Sequence, residues 1–177
     1  MAGRTPEEAA ENFVNFIKES LSCVTSHFLN AHSQSSELHK IFYDPYPTVH
    51  TRSGPSYRIS VTQIFRVVND PNTAGQYKAK TQEYSYRLLK SGNTESEIVA
   101  YHWHPQDPGV RYPHLHVKAA HPRIHFPTSR VCLEDFVSML MRDFHVRPKL
   151  SHDECKRILS KNKEAFERMA TWKIQNP

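Results

Sequence analysis

Residues 102–116 read HWHPQDPGVRYPHLH, two His-x-His pairs on either side of a connection rich in Pro, Asp and Gly. Imidazoles at this spacing are the side chains of the chain best placed to do chemistry. Side chains on a strand alternate between faces, so His102 and His104 share one face, and His114 and His116 share one face of the next strand. If the two strands pair antiparallel across Pro105 to Pro113, the register that keeps apolar faces together sets His104 opposite His114 and His102 opposite His116. Opposed β-carbons then lie about 4.5–5.5 Å apart, and the four rings form one patch.

Such a patch permits two chemistries. Zinc held by three His nitrogens with an open water position is a catalytic arrangement, and two His from one strand plus one from its neighbour meet its geometric need. Neutral imidazoles also suit nickel or copper, and the pattern does not choose the metal. Without a metal, one neutral imidazole can act as base while a charged neighbour acts as acid, a pairing that cleaves RNA at its 2′-hydroxyl. Arg111, Lys118, Arg123 and Arg130 lie near in sequence and are candidates to bind a phosphate, with Tyr101, Tyr112 or Trp103 to stack a base. The competing account is that these are wet-face histidines in ordinary structural hydrogen bonds; the paired spacing tips the balance towards a site.

Neighbouring groups carry less. His121 and His125 flank a Pro-containing turn and read as structural. Cys132 reads as a small core or capping thiol rather than a nucleophile. Glu134 and Asp135 fit the positive end of a helix dipole. Gln82, Glu83, Glu95 and Glu97 lie on or near strands and are candidates to orient imidazoles.

The positioning elements follow from pattern. Thr5-Pro6-Glu7-Glu8 is a helix start, with a hydroxyl cap, Pro in the first turn and acids at the positive dipole end. Ala10, Val14, Ile17, Leu21, Val24 and Phe28 recur at helical steps, predicting a helix to about Leu29 within an N-terminal segment that spans residues 1–32. Breakers and turn formers make 33–56 an irregular connection, with one helical turn at Leu38–Phe42. From Tyr57 the period changes to two, so residues 57–126 read as an antiparallel sheet of four to five strands. Its strands fall at Tyr57 onward, Tyr84 to Leu89, Glu97 to His104, His114 to Ala119 and a short Arg123 to Phe126. Residues 131–172 are helical in two pieces: CLEDFVSMLMRDF stops before Pro148, and Ser151 with Glu154 forms a capping box for the second. The fold class is therefore α+β, one domain over residues 1–177.

Totals bound the rest. The 177 residues suit a single core, and the +5 formal charge, 23 Lys plus Arg against 18 Asp plus Glu, favours anionic partners such as RNA or nucleotides. Cys23, Cys132 and Cys155 are odd in number and scattered, which fits a reducing compartment. No membrane span or secretory leader is visible, so the expected location is the cytoplasm.

Tyr86-Arg87-Leu88, Gly92, Tyr101-His102-Trp103-His104, His114-Leu115-His116 and Leu133-Glu134-Asp135-Phe136 occur in an order that resembles toxins of the TumE type from prokaryotic toxin–antitoxin loci. The resemblance covers about residues 86–146. It implies a small cytoplasmic toxin, neutralised by an antitoxin partner and acting on RNA or another nucleotide-containing target. Where that family places Asp-Asn after its Tyr, this chain has His102-Trp103. The expected function is thus a phosphodiesterase or ribonuclease that uses His102, His104, His114 and His116, with or without zinc or nickel. The alternative is a non-enzymatic binding or assembly module whose first helix packs on a partner protein and whose histidines bridge a metal.

Overall fold

A computed structural model describes residues 2–34, 38–92, 96–118 and 124–169. In chain order its elements are β1 (Ala2–Gly3), α1 (Pro6–Ser22), β2 (Asn30–Ser33), β3 (Leu38–Phe42), β4 (Thr48–Val49), β5 (Tyr57–Asn69), β6 (Tyr77–Lys90), β7 (Glu97–Trp103), β8 (His114–Val117), β9 (Phe126–Pro127), α2 (Leu133–Arg142) and α3 (His152–Met169). The sheet runs β2-β3-β5-β6-β7-β8-β9, with β1 beside β6 and β4 beside β5, and every pairing is antiparallel. The fold is α+β: an N-terminal helix, an antiparallel sheet and two C-terminal helices.

The helix starts obey their local chemistry. Thr5 Oγ1 accepts from the Glu8 N–H at 3.2 Å with Pro6 in the first turn, and Ser151 Oγ accepts from the Glu154 N–H at 3.2 Å. Gly92, at φ 95°, turns the chain between β6 and β7 in the left-handed region that a side chain would resist.

Three sequence expectations need correction. The first helix stops at Ser22 rather than near Leu29; no Gly caps it, Thr25 Oγ1 instead accepts from the His27 N–H at 3.1 Å, and Phe28 is left exposed beside Lys18. Leu38–Phe42 is a strand rather than a helical turn, because Ile41, fully buried, alternates with more exposed neighbours while the segment pairs with Thr62–Arg66 of β5. Residues 33–56 therefore carry β3 and β4, and the sheet has nine described strands rather than four or five. Their segments are too short for a period to show.

One face of the sheet is roofed by helices. Phe13 of α1 packs on Phe65 of β5 with ring centres 4.6 Å apart, and Phe136 of α2 lies 5.7 Å from Tyr86 of β6. Helix α3 packs on α1 and α2 through buried Cys155, Ile158 and Leu159. Where the three helices meet, Asn162 Nδ2 donates to Ser20 Oγ at 3.0 Å and Ser20 donates to Glu134 Oε1 at 2.7 Å. Ile17, Leu21 and Val24 are buried in this same core, so the helix stripe that the assembly-module account needs free for a partner is covered by the chain's own sheet and helices. No described helix is long and apolar enough to cross a membrane.

Candidate metal centre

Strands β7 and β8 use both faces. Val99, Tyr101 and Trp103 of β7 face the helix-roofed core, with Tyr101 Oη donating to Met139 Sδ at 3.7 Å. Ala100 and His102 alternate with them, so the His102 ring stands on the opposite, helix-free side, with His114 and His116 of β8.

The register differs from expectation by two residues. His102 pairs with His114 and Ala100 with His116. A two-residue slip keeps every side chain on its face, which is why the patch survives it. Its cause is local: the His104 carbonyl accepts from the Asp107 N–H at 3.0 Å, and Pro105 has no N–H to give, so β7 ends at Trp103 and His104 leaves the ladder.

Five rings converge. His102 lies 5.4 Å from His104, 5.6 Å from His114 and 4.8 Å from His116, centre to centre. His125, just before β9, closes the cluster at 4.9 Å from His114 and 4.5 Å from His116. The sequence reads it as structural and apart from the two pairs, whereas its ring lies among theirs. The Thr128 N–H donates to the Pro113 carbonyl at 2.9 Å and β9 pairs back on β8, which carries His125 to the same patch. The sequence offered only a weak signal for this, a third histidine one short return after the second pair.

An acid also arrives against the alternation rule. By strict period two, Glu97 would share the core face with Val99. A bulge at Ile98, where Leu88 pairs with Val99 but Leu89 with Glu97, reverses it. Ile98 packs on the core instead, and Glu97 Oε2 accepts from Arg87 Nε at 2.8 Å while Oε1 faces His116 Nδ1 at 3.9 Å and Lys118 Nζ at 3.8 Å. Glu97 is 6% exposed, and neither its Oε1 nor His116 Nε2 has a hydrogen-bond partner although both atoms are buried. Leaving such atoms without a hydrogen bond costs roughly 1–3 kcal/mol each unless something binds there.

Hydrogen bonds orient the remaining rings. His114 Nδ1 lies 2.9 Å from the Tyr112 carbonyl; donating there leaves Nε2 as the free lone pair. His102 Nδ1 lies 3.2 Å from His104 Nε2, and His104 Nδ1 lies 3.6 Å from Glu83 Oε2. If protons sit on the two Nδ1 atoms, a carboxylate–His104–His102 chain points His102 Nε2 into the patch. Burial, then the like charges of His116, His104 and His114, push His102 down to about 3; His114 and His116 are lowered mainly by burial as well. These rings are neutral near pH 7, the form that offers a lone pair.

Two groups of ligand atoms lie within 4.8 Å of one another: Glu97, His102 and His116, and His114, His116 and His125. These histidine groups could hold a metal ion. His104, a candidate ligand by sequence, falls outside both and stands behind His102.

The other sequence candidates divide. Lys118 reaches the cluster through Glu97, and exposed Tyr112 stands edge-on to His114 at 6.1 Å. Arg111 is exposed on the connection. Tyr101 is corrected: strand alternation turns it to the helix side. Arg130 is corrected too, since its guanidinium lies 3.2 Å over the centre of Trp103, on the core side, where burial pulls its pKa down to about 10. Arg123, His121 and Glu95 lie outside the described residues. Glu83 Oε2 and Glu97 Oε1 lie 3.6 Å from His104 Nδ1 and 3.9 Å from His116 Nδ1, whereas Gln82 donates to the Lys80 carbonyl. Cys132 is a buried thiol 3.2 Å from Asp135 Oδ2 with its pKa raised by burial, which removes it as a nucleophile. Comparisons with known protein families, curated proteins and solved structures found no match.

Proposed function

We propose that the protein is a metal-dependent phosphodiesterase whose centre is Glu97, His102 and His116. The observation that carries this reading is the buried Glu97 Oε1, which has no hydrogen-bond partner and faces His116 Nδ1 at 3.9 Å, in one ligand group with His102. Two imidazoles and a carboxylate are a known zinc set that leaves a position open, and nickel is the next candidate. A bound divalent ion would supply an activated water at neutral pH and polarise a phosphoryl oxygen.

The chain's own residues do the rest. Arg87 fixes the Glu97 carboxylate, and Glu83 through His104 fixes the His102 ring. Lys118, whose side chain is 40% exposed, presents an ammonium at the mouth for a phosphate, and Tyr112 offers an aromatic face for a base. A metal-free acid–base pair fits less well, because burial holds His102, His114 and His116 in the neutral form and the pair needs an imidazolium. RNA is the substrate class to try first, given the net charge of +5 and the toxin resemblance, which also makes an antitoxin the partner to seek.

The test is metal analysis of the purified protein followed by cleavage of single-stranded RNA with zinc or nickel supplied. Glu97→Gln and His102→Ala are expected to abolish cleavage and to lower the metal content while leaving circular dichroism unchanged. Undiminished cleavage after chelation, or folded variants that keep full activity, overturns the reading.

A further inference from the structure

The two ligand groups share one residue. His116 belongs both to the set with Glu97 and His102 and to the set with His114 and His125. Its ring is the hub of the cluster, 4.8 Å from His102, 4.9 Å from His114 and 4.5 Å from His125. Nδ1 is the ring nitrogen that faces Glu97 Oε1, which leaves Nε2, buried and unpartnered, for the opposite side. His114 Nδ1 is engaged by the Tyr112 carbonyl, so its Nε2 is the atom free for a ligand.

We propose that the centre takes two divalent transition ions, with His116 bridging them: Nδ1 to an ion at Glu97 and His102, and Nε2 to a second ion at His114 and His125. The proposal rests on the metal centre above and adds a second site to it. The His116 N–H proton passes to solvent when the second ion binds, so the ring becomes an imidazolate, and its negative charge offsets the repulsion between the cations. The second set is three imidazoles, a ligand set that zinc and copper both accept. It also accounts for His125, which the first site leaves without a role.

Zinc titration of the chelated full chain, followed by calorimetry and metal analysis, tests the count. Wild type is expected to bind two equivalents, His125→Ala one, Glu97→Gln one, and His116→Ala neither tightly, with thermal unfolding confirming that each variant is folded. Copper(II) reads the bridge: the first equivalent gives a paramagnetic resonance signal, and the second is expected to diminish it through coupling across the ring. One equivalent in the wild type, or two retained by a folded His125→Ala, overturns the second site. A second copper equivalent that simply doubles the signal overturns the bridge. One equivalent with RNA cleavage intact would sink this inference and leave the proposed function standing, whereas no metal bound would sink both.

Discussion

The two faces of one strand pair, β7 and β8, are built to opposite ends. On the roofed face Val99 of β7 is buried with Tyr86 and Leu88 of the adjoining β6 and Phe136 of α2, and the phenol of Tyr86 is satisfied by Gln63 Oε1 at 3.0 Å. On the helix-free face the same strands present His102, His114, His116 and Glu97, crowded together with two buried atoms unpartnered. A core tolerates few such orphans, because each forfeits its hydration without return, and the helix side has one of its own in Asn162 Oδ1. The contrast separates residues that hold the fold from residues held by it.

The sharpest way to break that division is to truncate one residue on each face. Phe136→Ala removes a fully buried ring at the α2–sheet contact and is expected to cost about 3–5 kcal/mol in urea denaturation, with zinc affinity of the remaining folded fraction unchanged. His116→Ala is expected to do the reverse, erasing zinc binding at little cost to the midpoint. Equal losses of stability in the two variants would mean that the histidine face is structural after all.

A smaller effect sharpens the picture inside the histidine face. Glu83→Gln keeps the shape of the side chain but removes the charge facing His104, and with it the hold on His102. Zinc affinity is expected to fall about 10–100-fold while the unfolding midpoint stays put. An unchanged affinity by competition with a chromophoric chelator would show that His102 is oriented by the sheet alone.

How much of this was legible in the sequence follows the same divide. Period two placed His102, His114 and His116 on one face, and caps placed α1 and α3, because these signals are local and repeat along the chain. Register was not legible, since it depended on a turn hydrogen bond at His104 that competes with the ladder. Glu97 is misplaced by the very rule that finds the histidines: a one-residue bulge at Ile98 is invisible to alternation and inverts it. His125 and the strands β3 and β4 come from tertiary pairing across short segments, where too few residues exist for any period to declare itself. Tyr101 and Arg130 were attached to the patch by nearness along the chain, which a strand does not respect.

Acid should distinguish the faces with the smallest but most directional effect. In zinc-free protein, burial and neighbouring charge hold His102 at about 3, and burial lowers His114 and His116. The unfolded chain takes up protons on these rings near their ordinary value, about 6.5. Below that pH the unfolded state therefore binds more protons than the folded state, and stability falls as pH drops from about 6.5 towards the lowered folded values. Glu134 under the helices has the opposite sign: burial raises its pKa, so the folded state is destabilised by ionising it above the ordinary carboxyl value, about 4.3, and is relieved below. Between about pH 6.5 and 5 the histidines dominate, with His39, lowered by burial against Phe65, adding a share from elsewhere in the sheet. The urea midpoint is expected to decline across that interval. His102→Asn should flatten the decline, and Glu134→Gln, which removes a contribution of opposite sign, should raise the midpoint at pH 7 and steepen the decline. A slope that His102→Asn leaves untouched would place the proton uptake at His39 or outside the cluster, and the histidine face would lose its claim to be the strained one.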